Sequence, residues 1–201
     1  MRIYYYVILL FLFLFNCKSD NIDKNSKTEL LKDGSISLGS KHWQYASHKW
    51  GEYGKPSESK DFIGNISHEY FSSGPTSLMI SRLQVTEKDR NAYWYQNIAN
   101  PSIPKGSNLV LRVKIKTENV EGDGVSIYMH GMFDNDKAEN YFLSTEGKQR
   151  IDGTSDFNTY ELRFDNYLDQ HKPTENLQIG LLVSGVTKGV VYFDDVSLCV
   201  E

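Results

Sequence analysis

The chain lacks the marks of several protein classes. Its 201 residues include only two cysteines, Cys17 and Cys199, too few for a disulfide-built scaffold. The formal net charge is -4, with no long block of one sign behind it, so no nucleic-acid partner is expected and a scattered basic residue reads as a solvated one. No solenoid repeat is visible, and no long stretch places apolar residues at helical spacing. The motifs G-x-S-x-G, H-E-x-x-H and C-x-x-C and a phosphate-cradling Gly-Lys-Ser loop are all missing, which removes the enzymes they mark. "HEYFS" (68–72) only begins like a zinc motif. "DNDKAENYFLST" (134–145) begins like an EF-hand, yet Glu139 stands where that loop needs its Gly and Thr145 where it needs its Glu, so it reads as a solvated loop. What is present is 39% hydrophobic and 13% aromatic residues, enough to bury the core of one domain.

The first residues read as a leader. Arg2 precedes "IYYYVILLFLFLF" (3–15), an uncharged run of thirteen against the roughly 20 residues that span a bilayer core. The run ends in "LFNC" (14–17), which resembles the lipobox of bacterial lipoproteins, with Asn16 in place of the usual small residue. That resemblance implies a signal peptide over 1–16, acylation of Cys17, and a membrane anchor in which several acyl chains share the partition energy. It places the protein in a bacterial cell envelope, lipid-anchored, with the outer membrane or cell surface as candidate destinations. With Cys17 lipidated, no disulfide forms within the chain, and Cys199 is a lone thiol expected to pack rather than react. "KSDNIDKNSKTELLKDG" (18–34) is charged and poor in aromatics, so residues 17–34 read as the lipidated Cys and a flexible tether.

From about Ser35 the pattern is strand after strand, with turn residues at intervals of about 10. Strands are expected within 76–83, 91–98, 108–117, 124–133, 158–165, 176–185 and 189–198. Side chains alternate between the two faces of a strand. Leu109, Leu111, Val113 and Ile115 therefore oppose Arg112, Lys114 and Lys116. Val125, Ile127 and Met129 oppose Ser126, Tyr128 and His130, and Leu177, Ile179, Leu181 and Val183 oppose Gln178, Gly180 and Ser184. One wet face per strand is the pattern of antiparallel sheets packed as a sandwich. In "VYFDDVSL" (191–198), Val191 and Phe193 keep phase with Val196 and Leu198 only if the strand carries an extra residue at Asp194 or Asp195, as a β-bulge supplies.

The stretches "KTENVEGDGVSIYMHG" (116–131), "STEGKQRIDGTSDFNTYELRF" (144–164), "LQIGLLVSGVTKGVVYFDDVSL" (177–198) and "SGPTSLMIS" (73–81) resemble the jelly-roll domains of the carbohydrate-binding-module and galactose-binding-like superfamily. The resemblance covers 35–201 and implies an all-β jelly-roll sandwich of two antiparallel sheets. It also implies a structural calcium held by Asp194, although Ile36 and Ser37 stand where those modules carry a Phe-Glu pair. The remaining motifs have local work to do: Gly122 and Gly124 for a turn, and Thr154, Ser155 and Asp156 for backbone amides at a strand entry.

Aromatic residues are the most informative class for a ligand, because flat rings offer sugar C–H faces a surface and nearby polar groups then fix the hydroxyls. Trp43, Tyr45, Trp50, Tyr53, Tyr93, Trp94, Tyr95 and Tyr128 are candidates; each could equally fill a β core. In "AYWYQ" (92–96), either Tyr93 and Tyr95 or Trp94 and Gln96 face inward; the family likeness puts Gln96, and Trp94 with it, on the concave wet face. That face is expected to collect Arg112, Lys114, Tyr128, His130 and Gln178, without evident carboxylate partners, for a polar or acidic ligand. The candidate ligand-binding set is Trp94, Gln96, Arg112, Tyr128 and His130. The leading expectation is a non-catalytic envelope lipoprotein binding a glycan or envelope polysaccharide. Its rivals are a protein-interaction or scaffold lipoprotein of the same fold and an enzyme whose carboxylates meet only in three dimensions.

Overall fold

The computed structural model describes residues 27–49, 59–132, 141–167 and 174–201. Residues 1–16, where a signal peptide is expected, and Cys17, Trp50 and Tyr53 lie outside them. Among the described residues eleven strands run in chain order: β1 Thr28–Glu29, β2 Gln44–Lys49, β3 Phe62–Ser67, β4 Ser77–Arg82, β5 Arg90–Ala99, β6 Leu109–Glu121, β7 Val125–Met132, β8 Tyr141–Ser144, β9 Gly153–Phe164, β10 Asn176–Val183 and β11 Lys188–Val200. One antiparallel sheet has the order β3-β4-β11-β6-β9, with β1 also paired to β11; the other has the order β2-β5-β10-β7-β8. Their inner faces meet in one core that includes Leu109, Leu111, Val113 and Ile115 of β6, Ile127 and Met129 of β7, Ile179 and Leu181 of β10, and Phe193 of β11. The alternation over 108–117, 124–133 and 176–185 is thus realised as the inner and outer sides of two packed sheets.

The domain starts before Ser35. Thr28 and Glu29 pair with Val200 and Cys199, Leu31 is buried, and Gln96 takes the Lys32 amide at 2.8 Å and donates to the Lys32 carbonyl at 3.0 Å. Residues 27–34 are therefore part of the sandwich rather than tether. Their polar composition hid this, because backbone pairing and a few apolar contacts hold the segment.

The bulge in the last strand is present: the β11–β6 register shifts between Asp194 and Ser197, with Asp195 at φ 46°. Val191, Phe193, Val196 and Leu198 all reach the core. At this point β11 also changes neighbours along one edge, from β4, paired through Phe193, to β1, paired at Cys199 and Val200. The Val196 amide donates to the Gly34 carbonyl across the gap at 2.8 Å.

Candidate functional site

The two outer faces differ in kind. On the outside of the sheet containing β6, cations sit beside carboxylates: Arg112 with Glu161 at 2.8 Å and Glu201 at 3.4 Å, Lys114 with Asp195 at 2.9 Å, and Lys116 with Glu118 at 3.6 Å. Arg112 and Lys114 therefore do not share a face with Tyr128, His130 and Gln178, which belong to the opposite sheet. The expectation of one face carrying all five fails because alternation gives the parity of each strand but not the sheet it joins. Both cations have carboxylate partners that the sequence did not reveal.

The outside of the other sheet is aromatic and amide-rich. In register across its strands stand Phe142, His130, Gln178 and Asn97. The neighbouring row is Ser144, Tyr128, Gly180, Tyr95 and Gln44, and the next includes Leu182, Tyr93 and Ala46. Rings touch along and between the rows: Tyr128 and Phe142 at 5.2 Å, His130 and Phe142 at 5.8 Å, Tyr93 and Tyr95 at 5.4 Å, and Tyr93 and Tyr128 at 6.3 Å. Among the described residues, no Asp, Glu, Lys or Arg occupies an outward position on these strands. Burial lowers the pKa of His130, and burial together with the nearby Arg90 charge lowers that of His48, so both imidazoles are neutral at neutral pH.

Openness varies across the face. Phe142 is 57% exposed, Asn97 is exposed, and Tyr95, His130 and Gln178 are half-buried, whereas Tyr128 is only 6% exposed. The Tyr128 hydroxyl donates to Gln178 Oε1 at 2.8 Å, and Gln178 Nε2 donates to Asn97 Oδ1 at 3.1 Å.

Trp94 and Gln96 are not on this face. Both are buried, Trp94 within the hydrophobic core with its indole N–H on the Met79 carbonyl at 3.1 Å. The open parity of 92–96 resolves with Tyr93 and Tyr95 outward. Gln96 points inward because its amide completes the backbone pairing of Lys32, a buried polar demand that alternation cannot foresee. Phe142 and Asn97 were missed. Phe142 lies in the four-residue β8, whose "YFLS" alternation is a signal inside a stretch read as loop, and Asn97 follows from Tyr95 once parity is fixed.

Asp194 does not fit a calcium ligand. Its Oδ2 accepts the amides of Ser72 at 2.7 Å and Ser73 at 3.0 Å, and its Oδ1 accepts the amide of Asp195 at 2.7 Å. Amide hydrogens thus face the carboxylate where a cation site needs further oxygens, and Lys114 lies beside Asp195. Among the described residues no three His, Cys, Asp or Glu side chains converge as metal ligands.

The sandwich has a jelly-roll fold. No family model and no curated protein matches the chain, but solved structures share its fold. A cyclase from Fischerella sp. TAU superposes with a TM-score of 0.63 at 14% identity, covering 88% of this chain and 98% of that one. The module TmCBM61, solved with β-1,4-galactotriose, gives 0.52 at 13% identity over 87% of this chain and 99% of that one. The enzymatically active domain of tailspike protein 4 from bacteriophage CBA120 gives 0.58 at 14% identity over 86% of this chain, which spans only 21% of that larger chain.

Proposed function

We propose that the protein is a glycan-binding module of a bacterial envelope, held to a membrane by lipid on Cys17 and carrying out no chemistry of its own. The observation that carries this reading is the uncharged outer face of the five-stranded sheet, where Tyr95, Phe142 and Tyr93 border the amides of Asn97 and Gln178. Rings offer C–H stacking and amides offer hydroxyl partners, the division of labour of a sugar site. TmCBM61, of the same fold, was solved with a galactotriose, which supports this choice of ligand class. The face is uncharged among its described residues, so the ligand class is narrowed from polar or acidic to neutral sugars.

A glycan array probed with the full chain in detergent tests the reading. Saturable binding to neutral oligosaccharides, weakened in Phe142→Ala, is the expected result. Capture of one envelope protein with no glycan bound would instead favour the scaffold lipoprotein. Turnover of a sugar, or of an indole such as the cyclase ligand 4-(1H-indol-3-yl)butan-2-one, would favour an enzyme.

A further inference from the structure

Tyr128 and Gly180 have a task that burial makes visible. Gly180 lies opposite both Tyr95 and Tyr128 in the register, and a Cβ at 180 would stand 2.0 Å from ring atoms of Tyr128. The missing side chain is therefore the space into which the Tyr128 ring is laid, across β10. From there its hydroxyl reaches Gln178 Oε1 at 2.8 Å. An amide whose oxygen accepts from a phenol must turn its NH2 the other way, and Gln178 Nε2 does so, donating to Asn97 Oδ1 at 3.1 Å. With its oxygen engaged, the exposed Asn97 keeps its NH2 group as the outward end of the chain of bonds.

We propose that Gly180 and Tyr128 are positioning residues of the candidate sugar site, which seat and orient Gln178 so that Asn97 presents a donor, not an acceptor, to an oxygen of the bound glycan. This rests on the glycan-binding reading of the same face. Tyr128 is too buried to stack against a sugar along its ring; its ring packs on Phe142 and Tyr93, and its hydroxyl acts on binding through Gln178 and Asn97. The stacking surface is left to the open rings of Phe142 and Tyr95. The direction of the relay favours a glycan oxygen placed where it can accept from the Asn97 NH2 group.

The test uses the full chain in detergent, labelled with nitrogen-15, and reads the side-chain amide signals of Gln178 and Asn97 without any sugar. Tyr128→Phe removes only the hydroxyl. It is expected to speed exchange of the Gln178 Nε2 hydrogens and to shift the Asn97 Nδ2 signal, with the melting temperature held. Unchanged amide signals in that variant would overturn the relay. Calorimetry with β-1,4-galactotriose, cellotriose and xylotriose then measures the consequence. Tyr128→Phe should weaken binding by about fivefold, the scale of one net hydrogen bond. Asn97→Asp, which keeps the acceptor for Gln178 but replaces the outward donor, should weaken it by roughly tenfold or more. Full affinity in Asn97→Asp would overturn the donor assignment. If the wild-type chain binds none of the three trisaccharides and no array member, the glycan reading falls, and the amide signals still decide the relay.

Discussion

Arg82 and Asp61 meet inside the sandwich, Nη2 donating to Oδ2 at 3.1 Å with both side chains closed off from water. The guanidinium also reaches the carbonyls of Gly185 and Glu87 and stacks on the Phe62 ring at 4.2 Å. Asp61 in turn accepts the Thr86 hydroxyl at 2.6 Å and the Glu87 amide at 2.9 Å. The pair ties the end of β4 to the loop before β5 and to the turn before β11. Removing one member strands the other, so Asp61→Ala is expected to cost about 3–5 kcal/mol, read from urea unfolding.

The same pair sets an acid limit. Burial pushes the Asp61 carboxyl up, but hydrogen bonds from Thr86, Glu87 and Arg82 outweigh it and hold the group well below the usual carboxylate range. A depressed folded pKa contributes stability above the unfolded value, near 3.8, and loses it as pH falls toward the folded one. Urea midpoints of the wild type should drop below pH 4. In Asp61→Asn that part of the acid slope should be missing.

Trp94 and Phe142 separate core from site. Trp94 is a core residue whose indole N–H bonds the Met79 carbonyl, so Trp94→Ala should cost about 3–5 kcal/mol. Phe142 is open, and Phe142→Ala should leave the melting temperature within a degree or two while weakening glycan binding. Thermal melts beside array binding distinguish the two; a destabilised Phe142→Ala would mark that ring as structural.

The uneven legibility of the sequence follows from the same physics. Leu109 to Ile115, Val125 to Met129 and Leu177 to Val183 declared their strands, since a buried face leaves a period of two. The bulge at Asp194 was legible because Val191, Phe193, Val196 and Leu198 cannot otherwise share one side. Sheet membership was not, because Arg112 and Tyr128 both oppose apolar neighbours on their own strands yet stand on opposite outer faces. Arg82 occupies an inward position at a strand end, where only its partners in distant loops distinguish it from a solvated cation. Gln96 and Tyr128 are decided by hydrogen bonds to Lys32 and Gln178, across 64 and 50 residues of sequence, which no local pattern records.

Asp194 answers why two carboxylates interrupt an apolar strand. Where β11 exchanges β4 for β1, the amides of Ser72 and Ser73 are left without a strand partner, and Asp194 accepts both, as well as the Asp195 amide. Its oxygens are filled by hydrogens, so thermal melts in millimolar calcium and in chelator should coincide. A site filled at 100 times its dissociation constant would instead separate them by about 2.7 kcal/mol. The carboxyl has a second consequence. Burial pushes its pKa up to about 6, against the pull of the Ser73, Ser72 and Asp195 amides. A raised folded pKa gives stability that is full below the unfolded value near 3.8 and lost as pH rises through about 6. Asp194→Asn keeps an acceptor for Ser72 and Ser73 but turns an NH2 toward the Asp195 amide, a mismatch of about 1–3 kcal/mol. Because the variant has no charge to bury, its deficit relative to the wild type should be greatest near pH 4 and shrink as pH rises from 5 to 7. Paired urea titrations at pH 4, 5, 6 and 7 measure this, and a deficit that grows with pH would mean that the amides, not burial, govern the group.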